Sequence, residues 1–272
     1  MIRFAAALAR REFVRFIRQP QRVVGSIGQP LLFWAFLGAG LTPSFQPPGM
    51  EGMTYTEYFY PGVLMMLILF AGIFSTITVI EDRDQGFLQG VLVAPVPRLA
   101  IVLGKVGGGT LIALFQAMIL LVAAPFMGML PGFGGSLMVL AALVLSALGF
   151  TGLGFSIAWT MKSTAGFHAI MMVFLFPLWL LSGALFPMEN VPTWLHWVML
   201  VNPVAHALTV LRGPFYEAPA VLLADGAYLT SVAVLVAWMA LSLWASTKRV
   251  NRREQGLTGP AADAAAAPAG PA

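Results

Sequence analysis

Six uncharged, apolar runs divide this chain, at residues 23–41, 62–80, 106–127, 135–161, 163–188 and 226–247. Each is about twenty residues or longer, and at 1.5 Å rise per residue that length crosses a hydrocarbon core of roughly 30 Å. A water-soluble domain carries about a quarter of its residues charged, whereas here 10% of 272 are. The runs do not alternate with period two, which disfavours a membrane β-barrel. The expected fold class is all-α, a polytopic membrane protein with six transmembrane helices. The absence of cysteine removes any disulfide framework, thiolate nucleophile or cysteine metal site.

Six spans place every one of the 15 Lys and Arg residues except Arg212 on the same side as the N-terminus, as the positive-inside rule expects of a cytoplasmic face. The pI of about 9.8 therefore reflects topology and does not call for a nucleic acid. Both termini and Lys162 are expected in the cytoplasm and Glu217 outside, in the cell (inner) membrane. Residues 191–211 are uncharged too. A seventh span there would send Lys248, Arg249, Arg252 and Arg253 outside, and the segment holds Pro192, His196, Asn202, Pro203 and His206, all poor in hydrocarbon. Residues 189–220 are thus expected to enter the outer leaflet and return. Tyr55, Tyr58 and Tyr60 suit a membrane interface.

The first 22 residues interleave Arg3, Arg10, Arg11, Arg15, Arg18 and Arg22 with Ile2, Ala6, Ala9, Phe13, Phe16 and Ile17 at spacings of three and four. This spacing predicts a basic amphipathic helix in the headgroup plane, its arginines against anionic membrane lipids; the blander alternative is a topogenic flank. Residues 257–272 are mostly Ala, Pro and Gly without periodicity and are expected to be disordered. What precedes them, 1–256, reads as a single membrane domain.

Between the second and third runs lies the most densely charged internal segment, residues 81–98. Its charges occupy the first four positions; Phe87, Leu88, Val91 and Leu92 then line one side of a short helix, which Pro95 and Pro97 stop. Such a helix either lies on lipid or docks into a partner protein through its apolar side chains.

Enzyme chemistry has little to stand on. Residues 154–158 spell G-x-S-x-A and His168 follows, which admits an intramembrane serine hydrolase. A nucleophile elbow, however, needs a strained turn to expose its serine, and small residues within a span equally serve close helix packing. His196 and His206 stand ten apart without cysteine and with few carboxylates near, so no metal site is expected. No G-x-x-x-x-G-K-[ST] string occurs, so the chain has no P-loop for ATP. A non-catalytic membrane scaffold is the third reading.

The order of these parts resembles the type-2 ABC exporter permeases, from Arg3 to about Arg253. In that family a cytoplasmic E-R-E-x-G-T-x-E-x-L motif followed by a proline joins the second and third spans. Asp82, Arg83, Asp84, Gly86, Leu88, Leu92 and Pro95 carry the likeness, with Phe87 for the threonine and Gln89 for the second glutamate, departures that point to the drug and nodulation-type exporters. Asn202, Pro203, Leu211 and Arg212 match the family's N-P and L-R pattern in the last external segment. The resemblance implies that residues 81–98 form a coupling loop seated on a separate ABC ATPase subunit, with Phe87, Leu88, Val91 and Leu92 as knobs and Asp82, Arg83 and Asp84 as a polar rim. It also implies ATP and Mg on that partner and no cofactor on this chain. A second permease copy in a homodimer, or a related chain, would supply the other wall of the path. Spans with Ser, Thr, Met and aromatic groups but almost no fixed charge suit an amphipathic cargo, lipid-like, glycan or drug.

Overall fold

The computed structural model describes residues 1–43, 52–93, 95–188 and 191–255. The expected disordered tail, 257–272, lies outside the described residues, as does most of the Pro/Gly-rich loop before Tyr55. Helix α1 (Ile2–Ile17) is followed by α2 (Pro20–Leu41), α3 (Tyr55–Ser75), α4 (Thr78–Asp84), α5 (Phe87–Val93) and α6 (Arg98–Leu121). Then come α7 (Phe133–Ala158), α8 (Thr164–Trp179), α9 (Thr193–Val201), α10 (Pro203–Tyr216), α11 (Pro219–Ala224) and α12 (Gly226–Gln255). The fold is all-α, and six stretches are long and apolar enough to cross a membrane: Pro20–Leu41, Tyr55–Asp84, Arg98–Met127, Phe133–Ala158, Thr164–Ala184 and Gly226–Asn251. The protein is a multi-pass membrane protein.

The basic N-terminal segment is two elements, since α1 ends at Ile17 and Pro20 opens α2 from the first helical position, where its missing N–H costs nothing. Arg22 thereby belongs to the first turn of the first span.

Helix α3 is the axis of the bundle, apolar all round and enclosed on all sides, whereas α2, α8 and α12 leave most of their surface open, as a buried helix and its peripheral neighbours should. A capping box starts α3: the Thr54 hydroxyl accepts the Glu57 N–H at 3.3 Å, and the Thr54 N–H donates to Glu57 Oε2 at 2.7 Å. Near its other end the hydroxyls of Ser75, Thr76 and Thr78 donate back to the carbonyls of Gly72, Ile73 and Ser75. Such back-bonding competes with the helix, and α3 hands over to α4 there.

The tyrosines expected at a lipid interface are instead interior. Tyr58 is 0% exposed, and the three phenols donate inward, Tyr55 to Leu185 O, Tyr58 to Gly183 O and Tyr60 to Leu120 O. Burial pushes the Tyr216 phenol, beyond the spans on α10, well up from its usual value; a neutral Tyr216 donates to Glu57 O at 3.0 Å.

Candidate functional site

The charged segment divides between two helices. Asp82, Arg83 and Asp84 end α4, and a turn through Gly86 leads into α5. Gly86 has φ +76° with open space where a Cβ would stand, so backbone conformation demands glycine there. Arg98, on the far side of the loop, donates to Leu92 O at 2.8 Å and caps the last turn of α5.

Asp82 does not form a rim. It is 0% exposed and is the hub of a buried ion network. Arg11 grips it with two parallel hydrogen bonds, Nη1 to Oδ2 at 2.9 Å and Nη2 to Oδ1 at 3.0 Å, and Arg15 Nη1 reaches Oδ1 at 3.0 Å. Lys105, from the second turn of α6, donates to Asp82 Oδ2 and, at 2.8 Å, to Glu12 Oε1. Arg11 also meets Glu12 at 2.8 Å, and Arg15 meets Glu81 at 2.7 Å. Three cations thus face three carboxylates: Asp82, Glu12 and Lys105 are enclosed, where charges persist only when matched, while Arg11, Arg15 and Glu81 keep an edge to solvent. Donating its hydrogen bonds to the Asp82 carboxylate holds the Arg11 guanidinium above its ordinary pKa, against the opposing effect of burial.

The expectation that the arginines of α1 face lipid is corrected for Arg11 and Arg15, which face Asp82; Arg18, at the end of α1, is exposed. Small residues bring α1 this close. A Cβ on Gly104 would stand 2.8 Å from Leu8 Cβ, and one on Gly108 2.7 Å from Glu12 Cβ, so the Gly-x-x-x-Gly face of α6 is the seat of α1.

The four apolar side chains of the loop helix are not one exposed set. Leu88 is 3% exposed and belongs to the main core, Val91 packs with Leu8 and Ile101, and Leu92 is half-buried against the same cluster. Outward stand Phe87, 37% exposed beneath the Arg11 guanidinium at 3.8 Å, and Val93, 85% exposed. Asp84 and Pro95 are also exposed. Arg83 reaches sideways to the carbonyls of Trp159 and Met161 at 2.6 and 2.7 Å, ending α7 with a cation where the helix dipole favours one. That contact puts the Lys162 turn at the same end as α5, and Arg249, donating to Ser156 O at 2.8 Å, puts the end of α12 there. Ser156 itself lies inside the unbroken helix α7 and not on a strained turn.

The second group of sequence-marked residues meets at the opposite end. Asn202 caps α10, its Oδ1 accepting the Val204 N–H at 3.0 Å while its amide donates to Leu178 O and Leu181 O at 2.6 and 3.0 Å. Pro203 is the first residue of α10, and the chain bends by 80° between α9 and α10. Past Trp179 the turn that continues α8 widens and kinks over Leu180–Ala184, where Leu181 and Gly183 leave helical backbone values and Gly183 has φ +82°. Its carbonyl accepts from Tyr58 and from Arg212 Nη2, both at 2.9 Å, and Arg212 lies 4.4 Å over the Tyr58 ring. Leu211 is fully buried behind it. The N-P and L-R residues therefore lock α3, α8 and α10 together. His206 is engaged by Ser231 and by Leu200 O.

Glu12, Lys105 and the Gly104/Gly108 pair were not singled out by sequence reasoning. Their signals were a lone acid among six arginines, an isolated lysine at the head of a span and glycines four apart.

Five spans packed about a buried sixth, with a polar loop helix at one end, define a multi-pass membrane subunit. Residues 4–216 match the family described as ABC-2 type transporter, and the chain belongs to that family; it is a transmembrane permease subunit of an ABC transporter, a class that works with an ABC ATPase subunit. It is 28% identical over 208 residues to the putative transport permease ycf38 of Cyanophora paradoxa, covering 75% of this chain and 71% of that one. To the probable multidrug ABC transporter permease YbhR of Escherichia coli it is 28% identical over 161 residues, 59% of this chain and 44% of YbhR. To the daunorubicin resistance permease DrrB1 of Streptomyces coeruleorubidus it is 23% identical over 212 residues, 74% and 71% of the two.

Proposed function

We propose that this chain is the permease of an ATP-driven exporter of amphipathic molecules, and that α5 with the turn at Gly86 seats on a separate ATPase subunit. The observation that carries this reading is the mounting of Phe87: an exposed aromatic ring, clamped under Arg11, on a short helix tied through Asp82 to α1, α4 and α6. A force applied at Phe87 reaches three elements at once. Leu88, Val91 and Leu92 anchor the helix to its own bundle, leaving Phe87, Val93, Asp84 and Pro95 to the partner; charged groups at such a rim set register more than affinity.

On this reading ATP and magnesium are bound by the partner, and both termini and Lys162 lie in the cytoplasm at the inner membrane. A second copy of the chain, or a related permease, completes the translocation path. Efflux direction is favoured by the drug-resistance and multidrug names among the relatives.

The test is capture of the co-expressed cognate ATPase. Truncating Phe87 and Val93 together to alanine removes apolar contact worth roughly 1.5 to 3 kcal/mol per fully buried side chain. Captured ATPase should fall by about tenfold or more, with the bundle's thermal midpoint unchanged. Wild-type capture by this double variant would remove α5 from the docking role.

A further inference from the structure

A cleft of about 590 Å³ separates α2 from α3 and α8 and opens to the outside of the bundle, a size common among ligand sites. Its charged lining is gathered at one end, Arg22 from the first turn of α2 with Glu81 from α4 and Gln19 beside them, while Ser26 and Gln29 add two neutral polar groups further along α2. Its long wall is apolar, with Met66 and Phe70 of α3 facing Met172 of α8. Phe74 closes the polar end, stacked on His168 with ring centroids 4.3 Å apart. Arg22 to Pro30 is about 12 Å of helix at 1.5 Å per residue, so the cleft has a charged mouth and, on the α3 and α8 side, an apolar wall long enough for part of an acyl chain.

Charge bookkeeping singles out Arg22. Arg11, Arg15 and Lys105 at this end are each matched by a carboxylate, and Glu81, though it lines the cleft, is held by Arg15 at 2.7 Å. Arg22 is half-buried and makes a single hydrogen bond, Nη2 to Phe74 O at 3.3 Å; among the described residues no carboxylate pairs with it. A half-buried cation without a carboxylate, at the mouth of an apolar cleft and at headgroup depth, is placed to take an anionic group from outside the fold. We infer that Arg22 recognises the phosphate of an anionic lipid-like amphiphile, whose hydrocarbon chains lie along Met66, Phe70 and Met172. This names the substrate class of the exporter reading and rests on that reading for what happens to the bound molecule, though not for binding.

Binding is therefore measured without an ATPase. The full chain in detergent micelles is given dioleoyl phosphatidylglycerol or dioleoyl phosphatidylcholine, and retained lipid is counted by mass spectrometry. The expected preference for the anionic lipid is about fivefold, one cation's worth of attraction. Arg22→Gln should abolish the preference. Ala71→Phe, which keeps the charge and fills the cleft, should lower retention of both lipids, so a poorly folding Arg22 variant does not decide the matter alone. Lys162→Gln, at an exposed cation outside both α1 and the cleft, should change nothing. Preference surviving Arg22→Gln, equal loss in Lys162→Gln, or displacement of the lipid by equimolar inorganic phosphate would each overturn the assignment. No lipid preference in the unsubstituted chain, with ATPase docking intact, removes this site alone; a preference without ATPase docking removes the exporter reading and leaves the site.

Discussion

At the scale of single residues, the charges under α1 act as a set. Lys105 and Asp82 are both enclosed by protein, so neutralising one leaves the other short of a partner. Asp82→Asn should cost about 2–3 kcal/mol, less than for a wholly isolated buried charge because Glu12 stays with Lys105. Lys105→Met should cost a similar amount. The two changes together should cost less than their sum by about 1 kcal/mol or more, as for residues sharing one network; unfolding of the four proteins in a double-mutant cycle measures this, and strict additivity would mean the contacts carry no energy. The N-P pair at residues 202 and 203 was readable through the family resemblance, and the structure supplies its reason: Asn and Pro are what a helix start demands. Asp82 was not readable as interior, because a charge next to a span looks the same whether it faces water or three cations.

At the scale of elements, the number and order of the spans followed from uncharged length, but the second and third spans run past those limits, to Tyr55–Asp84 and Arg98–Met127, because charges such as Asp82 and Lys105 are paired inside them. The docking of α1 did not follow: an amphipathic helix presents the same stripe whether lipid or protein receives it. What decides here is the face of α6, where Gly104 and Gly108 leave room for the α1 backbone. Gly108→Ala should push α1 away, because its Cβ would meet Glu12 Cβ at 2.7 Å, whereas Gly107→Ala meets nothing nearer than Ala9 at 3.9 Å. The chain has no cysteine of its own, so a single Leu8→Cys, at a buried position, reports the outcome. Maleimide labelling should rise in the Gly108→Ala background and stay at the parental level with Gly107→Ala. Equal labelling in both would place the α1 seat elsewhere.

At the scale of the whole molecule, one end gathers α1, the α4–α5 turn, the Lys162 turn and the close of α12, while the other holds the clamp of Tyr58, Asn202 and Arg212 on the widened turn of α8. Helix α3, with its extension α4, runs between them and touches both, so a displacement of α5 has a rigid path to the Gly183 carbonyl. The order of spans was legible in sequence; the two-ended arrangement was not, because it depends on contacts such as Arg83 with Met161 that join residues far apart in the chain. That the α5 end meets the ATPase is the central claim, and site-specific photocrosslinking tests it most directly. A benzophenone amino acid is placed at Val93, which is 85% exposed beside α5, or at Phe133, 92% exposed at the opposite end, in cells that co-express the ATPase subunit. A crosslinked permease–ATPase band is expected from position 93 and none from position 133; a band from 133 alone, or none from 93 in a complex that still copurifies, would contradict it.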